Sequence, residues 1–246
     1  MSDVSSEIVN LLESVGLGRG SLTWLKGDLS SRRFARISTS AESAMLMVIP
    51  ADSRDLFDRV LSTTARLRNA GVVVPKILAF DTNSLLIVQQ DFGSIHLAEI
   101  LDTGTGFGGL EAAIDALQPV RDCEILGLQV LDATYLHAMT DIVADWYPGA
   151  DKDTLDELRS RMRSHLKFLE NAPKVFCLRD YHVENILWRG DSSGSGKVGI
   201  IDYQDAVAAH PIYDVASLLR DARIDIPDNH QNRLLARAAD QIGMDQ

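Results

Sequence analysis

Cysteine is scarce in this chain of 246 residues: Cys123 and Cys177 are the whole supply. Two thiols cannot form the framework that staples a small secreted domain. The opening MSDVSSEIVN is polar and acidic, unlike a secretory leader. Both cysteines are therefore expected as buried free thiols in a reducing, cytoplasmic setting, with Cys177 a strand-end core residue rather than a nucleophile. Long apolar runs are missing too, and no stretch approaches the ~18 residues of a membrane span. Positive charge is in deficit: 24 Lys and Arg stand against 35 Asp and Glu, a net −11. Nucleic acid and anionic membranes attract basic surfaces, so neither is expected as the main partner. A local groove with a few cations remains compatible with that balance. Internal repeats and low-complexity segments are absent.

What is present is an ordinary globular composition, 46% hydrophobic and 24% charged, long enough for two lobes with real cores. Residues 5–15 read as an amphipathic helix on Ile8, Leu11, Leu12 and Val15, with Gly16 at its end. Strand-like pieces follow at 21–26, 33–38 and 44–50, the first two joined by GDLSSR. Residues 53–69 read as a helix, and VVVPKILAF and LLIVQQ as two further strands. From Ile95 to about Asn171 the pattern is largely helical, with TGTGFGG (103–109) read as a flexible loop and Leu155, Leu158, Met162, Leu166 and Leu169 at helical spacing. Short strands at 175–178, 186–189 and 198–202 and a helix at 211–222 complete the reading. The expected architecture is α+β and bilobal: a β-rich lobe over 1–90, a hinge at 91–94 and a helical lobe over 95–246, with a cleft between them.

The densest chemical signal is LRDYHVENILW followed by VGIIDYQDA. Asp180 and Asn185 lie five apart in a loop, and Asp202 ends a strand behind Gly-Ile-Ile. In phosphotransfer one acid orients the attacking hydroxyl, while an amide and a second acid hold the magnesium that bridges the ATP phosphates. Each residue alone reads more readily as an Asx turn. The three together, in a strand–loop–strand context, point to a phosphotransfer site.

RDYHVENILW, IIDYQDA and HPIYDVASLLRD together resemble the aminoglycoside phosphotransferase/choline kinase superfamily, whose fold is protein-kinase-like. GDLSSRRFARI, the DFG after a strand and SLLRDAR narrow the resemblance to bacterial N-acetylmuramate/N-acetylglucosamine anomeric kinases. The likeness extends over about residues 15–225 and is thinnest at 103–150. It implies a catalytic base at Asp180, metal ligands at Asn185 and Asp202, and a structural acid at Asp214. ATP and Mg2+ are the implied cofactors and a small amino-sugar alcohol the implied acceptor. An aminoglycoside acceptor and a non-catalytic nucleotide-binding module are the alternatives. A protein kinase is disfavoured, because only about ten residues separate Asp202 from HPIYD and no activation segment fits between them.

Other residues follow from position. Ser30, Ser31, Arg33 and Arg36 stand where a nucleotide-covering loop and its cation are expected, and Gln90 and Phe92 where the hinge meets the base. His182, Glu184, Gln204, Arg220 and Asp221 are candidates for directional hydrogen bonds to the acceptor. Asp91-Phe92-Gly93 spells a protein-kinase metal motif but precedes the catalytic loop, so Asp91 is given no metal. His96, His137, His165, His210 and His230 lack ligand spacing and read as solvated or capping. Three departures stand out. Leu178 replaces the His expected two places before the base, Met47 or Val48 falls where the third strand places a phosphate-clamping Lys, and the chain ends soon after SLLRDAR. The first is expected to leave activity intact, since that His is mainly architectural. The second leaves an Arg of RRFAR to supply the charge. The third implies an incomplete helical lobe or an unusually open acceptor pocket.

Overall fold

The computed structural model describes residues 5–26, 31–147, 149, 151–190 and 192–243. The N-terminal part begins with α1 (Ser6–Ser14), β1 (Ser21–Trp24), β2 (Arg33–Ser38) and β3 (Ser43–Val48). Helix α2 (Arg54–Asn69), β4 (Ile77–Asp81) and β5 (Leu86–Gln90) follow. The five strands form one antiparallel sheet in the order β1-β2-β3-β5-β4. Side chains alternate across a strand, and here each face finds its own helix. Ala35, Ile37, Ala44 and Leu46 meet Ile8, Leu11 and Leu12 of α1. Met47 and Ile87, on the other face, meet Phe57 and Val60 of α2.

The second part is mainly helical. Short α3 (Leu97–Ile100) leads into α4 (Gly106–Arg121), β6 (Gln129–Val130), α5 (Ala133–Ala138), α6 (Ile142–Trp146) and α7 (Lys152–Leu166). Then come β7 (Val175–Cys177), β8 (Ile186–Trp188), β9 (Val198–Ile200), β10 (Val207–Ala209), α8 (Tyr213–Leu219) and α9 (Asp228–Ile242). The core of this part gathers Ala113, Ile114 and Leu117 of α4 with Phe176, Ile186, Val198, Val215 and Leu234. The α+β, two-lobed plan expected from the sequence is the one observed. No helix among the described residues is long and apolar enough to cross a membrane.

One local reading needs correction. The glycine-rich stretch 103–109 is not all loop, since α4 starts at Gly106. Gly109 is small for packing rather than for flexibility: a Cβ there would fall 2.6 Å from Leu97 Cδ1. The leucine stripe of α7 is only half-covered, and none of that helix's residues is buried. Residues 228–242, with no element expected there, form α9 behind Pro227. That helix is held to α4 by buried Leu234 and Ala238 and by Arg237, whose guanidinium donates to both oxygens of Asp115 at 2.6 Å. Both cysteines are buried and unpaired, and burial pushes the thiol of Cys123 up to about 11.

Candidate active site

One hairpin carries the chemistry. Asp180 stands in the loop after β7, Asn185 closes a single 3-10 turn just before β8, and Asp202 lies just past β9. The antiparallel register pairs Ile186 with Ile200, and Ile201 N–H donates to the Asn185 carbonyl at 3.0 Å. Asn185 and Asp202 are therefore neighbours by strand pairing, although seventeen positions separate them in the chain. The backbone is left-handed at Arg179 (φ 76°) and Asp202 (φ 60°). Aspartate tolerates that region through its short polar side chain, whereas for arginine it is costly. Such conformations persist only where surrounding contacts over-determine them.

Those contacts are present. Buried Asp214 accepts from Leu178 N–H at 2.7 Å and Arg179 N–H at 3.0 Å, pinning the backbone on the approach to Asp180. Tyr181, fully buried, donates its hydroxyl to the Ala113 carbonyl at 2.8 Å. Leu178 packs in the core at 2% exposure, so the loop is held by Asp214 and Tyr181 where a histidine was expected. Burial drives the Asp214 carboxyl up to about 7, against the pull of its two N–H donors and of Arg121.

The cleft between the N-terminal sheet and this hairpin holds a cavity of about 500 Å³, within the range of small-molecule sites. Met45, Met47 and Val60 form apolar wall, and Asn185, Asp202 and Gln204 bring polar groups to it. The Asp180 carboxylate is exposed and has no side-chain partner among the described residues. Its backbone carbonyl accepts from Asn185 Nδ2 at 2.9 Å.

The candidate residues separate clearly by place. Gln90, Phe92 and Arg36 line the cavity. Arg36, however, is committed to Asp91 (Nε to Oδ2 2.7 Å) and to the Gly93 carbonyl (2.8 Å). Arg33 points the other way and lies over the Trp24 ring at 4.0 Å, outside the cavity wall. Ser31 is exposed and also off the wall, and Ser30 lies outside the described residues. The arginine that reaches the hairpin is Arg32, which was not singled out. Its guanidinium meets Asp202 Oδ1 at 2.5 Å and Gln204 Oε1 at 2.9 Å. Strand alternation puts Arg32, Phe34 and Arg36 on one face and Arg33 on the other, but the pairing of β2 decides which face meets the cleft.

Gln204 is buried and fully engaged, donating to Asp202 at 3.1 Å and Asp205 at 2.9 Å. His182 Nε2 lies 3.1 Å from Asn185 Nδ2. Glu184 and Arg220 are exposed and stand off the cavity wall, and the Glu184 carbonyl faces His96 Nδ1 at 2.6 Å. Asp221 does not face an acceptor: its side chain is 0% exposed and takes Arg223 N–H at 3.0 Å and the Arg223 guanidinium at 2.9 Å. Burial pushes its carboxyl up, but the bonds from Arg223 outweigh burial and leave it lowered.

A family model described as a phosphotransferase enzyme family matches residues 21–246. The chain belongs to the phosphotransferase enzyme family. Similar curated proteins include an N-acetylmuramate/N-acetylglucosamine kinase of Caulobacter vibrioides, 28% identical over 92% of this chain and 74% of the relative. A protein of the same name from Pseudomonas aeruginosa is 27% identical over 85% of this chain and 62% of its own length. Among solved structures, choline kinase LicA from Streptococcus pneumoniae superposes with a TM-score of 0.67 at 16% identity, covering 96% of this chain and 82% of its own. The ADP-bound aminoglycoside phosphotransferase APH(2'')-Ib gives 0.71 at 14% identity, covering 97% and 84%. These last two matches establish the kinase-like fold.

In this phosphotransferase the donor set suits magnesium. Asn185 Nδ2 is spent on the Asp180 carbonyl, which fixes the amide so that Oδ1 is left as an acceptor. Asp202 adds a carboxylate that already carries a cationic partner. Both are hard oxygen donors of the type Mg2+ takes. Among the described residues no cluster of three or more His, Cys, Asp or Glu forms a metal cage.

Proposed function

We propose that this phosphotransferase moves the γ-phosphoryl group of ATP to a hydroxyl of a small amino sugar of the N-acetylmuramate/N-acetylglucosamine type. The observation that carries the reaction type is the hairpin: an exposed, uncommitted Asp180 carboxylate in the same loop as Asn185, which with Asp202 lines a nucleotide-sized cleft. Asp180 would orient the acceptor hydroxyl and take its proton, while Asn185 and Asp202 would hold magnesium. The ion, when bound, neutralises charge on the phosphoryl oxygens. The names of the curated relatives support the choice of acceptor.

An acceptor screen tests the reading. Purified protein with ATP and Mg2+ is expected to release ADP faster when N-acetylmuramate or N-acetylglucosamine is added. Stimulation by kanamycin alone would move the acceptor to an aminoglycoside, which the acidic net charge of −11 would attract. Intact nucleotide binding with no turnover on any acceptor would instead favour a binding module.

A further inference from the structure

The third strand of the sheet offers the cleft no positive charge: Met45 and Met47 are what β3 turns toward it. Phosphoryl transfer nevertheless needs a cation on the nucleotide phosphates. Three described cations line the cavity, namely Lys26, Arg32 and Arg36. Arg36 is held by Asp91 and Gly93. Lys26 is exposed, beyond the end of β1. Arg32 has a side chain only 10% exposed and sits on Asp202 itself.

We propose that Arg32 is the phosphate-clamping cation of this cleft and that, before nucleotide and metal arrive, it occupies one oxygen, Oδ1, of the Asp202 carboxylate. This rests on the phosphotransfer reading. One guanidinium nitrogen binds Asp202 Oδ1 and the other binds Gln204 Oε1. Gln204 Nε2 donates back to the same Asp202 oxygen and to Asp205, which lies 3.4 Å from Arg59 of α2. The latch is thus built into a polar chain between β2, the hairpin and α2, rather than resting on a lone surface contact. A guanidinium fork matches phosphate oxygens as well as it matches a carboxylate. Arg32 cannot keep Asp202 Oδ1 once that oxygen serves a metal ion. The phosphates of a bound nucleotide are anions that the same cleft-lining side chain could then meet.

Two binding measurements test this on the full chain. ADP binding in the presence of Mg2+, followed by calorimetry, is expected to weaken about 10- to 100-fold in Arg32→Ala and less in Arg32→Lys, which keeps the charge without the fork. Binding of Mn2+ alone, followed by electron paramagnetic resonance, is expected to tighten several-fold in Arg32→Ala, because Asp202 loses its competitor. Effects of opposite sign on the two ligands are not what a merely structural arginine would give. Thermal melts of both variants confirm folding, and Arg32→Lys carries the test if the alanine variant melts early. Wild-type binding of ADP with unchanged affinity in both variants would overturn the proposal alone. So would a loss seen in Lys26→Ala and not in Arg32→Ala. Wild-type protein that bound no nucleotide would overturn the phosphotransfer reading and this proposal with it.

Discussion

Asp180 gives the fold its backbone carbonyl, which accepts from Asn185 Nδ2 at 2.9 Å. Its carboxylate is exposed and unpartnered among the described residues, while the backbone on either side is pinned by Asp214, Tyr181 and Asn185. A side chain so supported, yet idle, is suited to chemistry on a ligand. Asp180→Asn is therefore expected to lower turnover by orders of magnitude and leave ADP affinity within about twofold, read by ADP release and calorimetry. Asp202→Ala is expected to abolish the Mg2+ dependence of nucleotide binding, and normal Mg-ATP affinity in that variant would remove Asp202 from the metal site. Asp214 gives a pH prediction. Its carboxyl rises from an ordinary 3.8 to about 7 because it is buried, so the folded chain holds a proton that the unfolded chain has released. Its contribution to stability is complete below pH 4 and is lost as pH climbs through 7, by up to about 4 kcal/mol. Chemical unfolding of wild type and Asp214→Asn at pH 5 and pH 8 checks the sign: the wild type should lose stability relative to the variant as pH rises. The opposite slope would mean that the two N–H donors and Arg121 keep Asp214 charged throughout.

At the scale of elements, the hairpin β8–β9 and helix α2 decide the site. Tyr203, next to Asp202, shares a 2.9 Å hydroxyl contact with Thr64 of α2, and burial pushes its phenol up to about 12. This contact and the Arg59–Asp205 pair tie the helix to the hairpin without any charged residue on β3. Tyr203→Phe is expected to cost about 1 kcal/mol in stability and to weaken nucleotide binding as well, because it loosens the strand that aims Asp202. A stability loss with nucleotide affinity unchanged would make the contact purely structural. Packing by small residues is a second device at this scale. Gly199 lies against the Phe92 ring, leaving no room for a Cβ. This brings the hinge and the hairpin into contact, and Gly199→Ala is expected to disturb both. The same logic explains why 106–109 was read as loop: glycine kept for close approach looks like glycine kept for freedom.

Across the whole molecule, what was legible in the sequence was what is local. Asp180, Asn185 and Asp202 share one strand–loop–strand unit, so their spacing carried the reading. The alternation of β1–β5 and the helices α1 and α2 followed from period alone. What depended on tertiary placement was not legible. Which arginine of RRFAR faces the cleft turns on the register of β2, and that is set by pairing of Arg33 with Val48. Asp221, an acceptor candidate by position, has a side chain closed to solvent and bound by Arg223. Helix α9 is amphipathic but was missed, and the partner of its buried Leu234 and Ala238 is α4, far away in the chain.

The proposed reaction is transfer of phosphoryl from ATP to a sugar hydroxyl under the control of Asp180. Phosphorus NMR of wild type and Asp180→Asn, each with ATP, Mg2+ and N-acetylglucosamine, tests it most directly. A sugar-phosphate resonance growing in step with ADP for the wild type and absent for the variant is the expected result. Inorganic phosphate alone would rule out the sugar as acceptor, and equal sugar phosphorylation by both proteins would rule out Asp180 as the base.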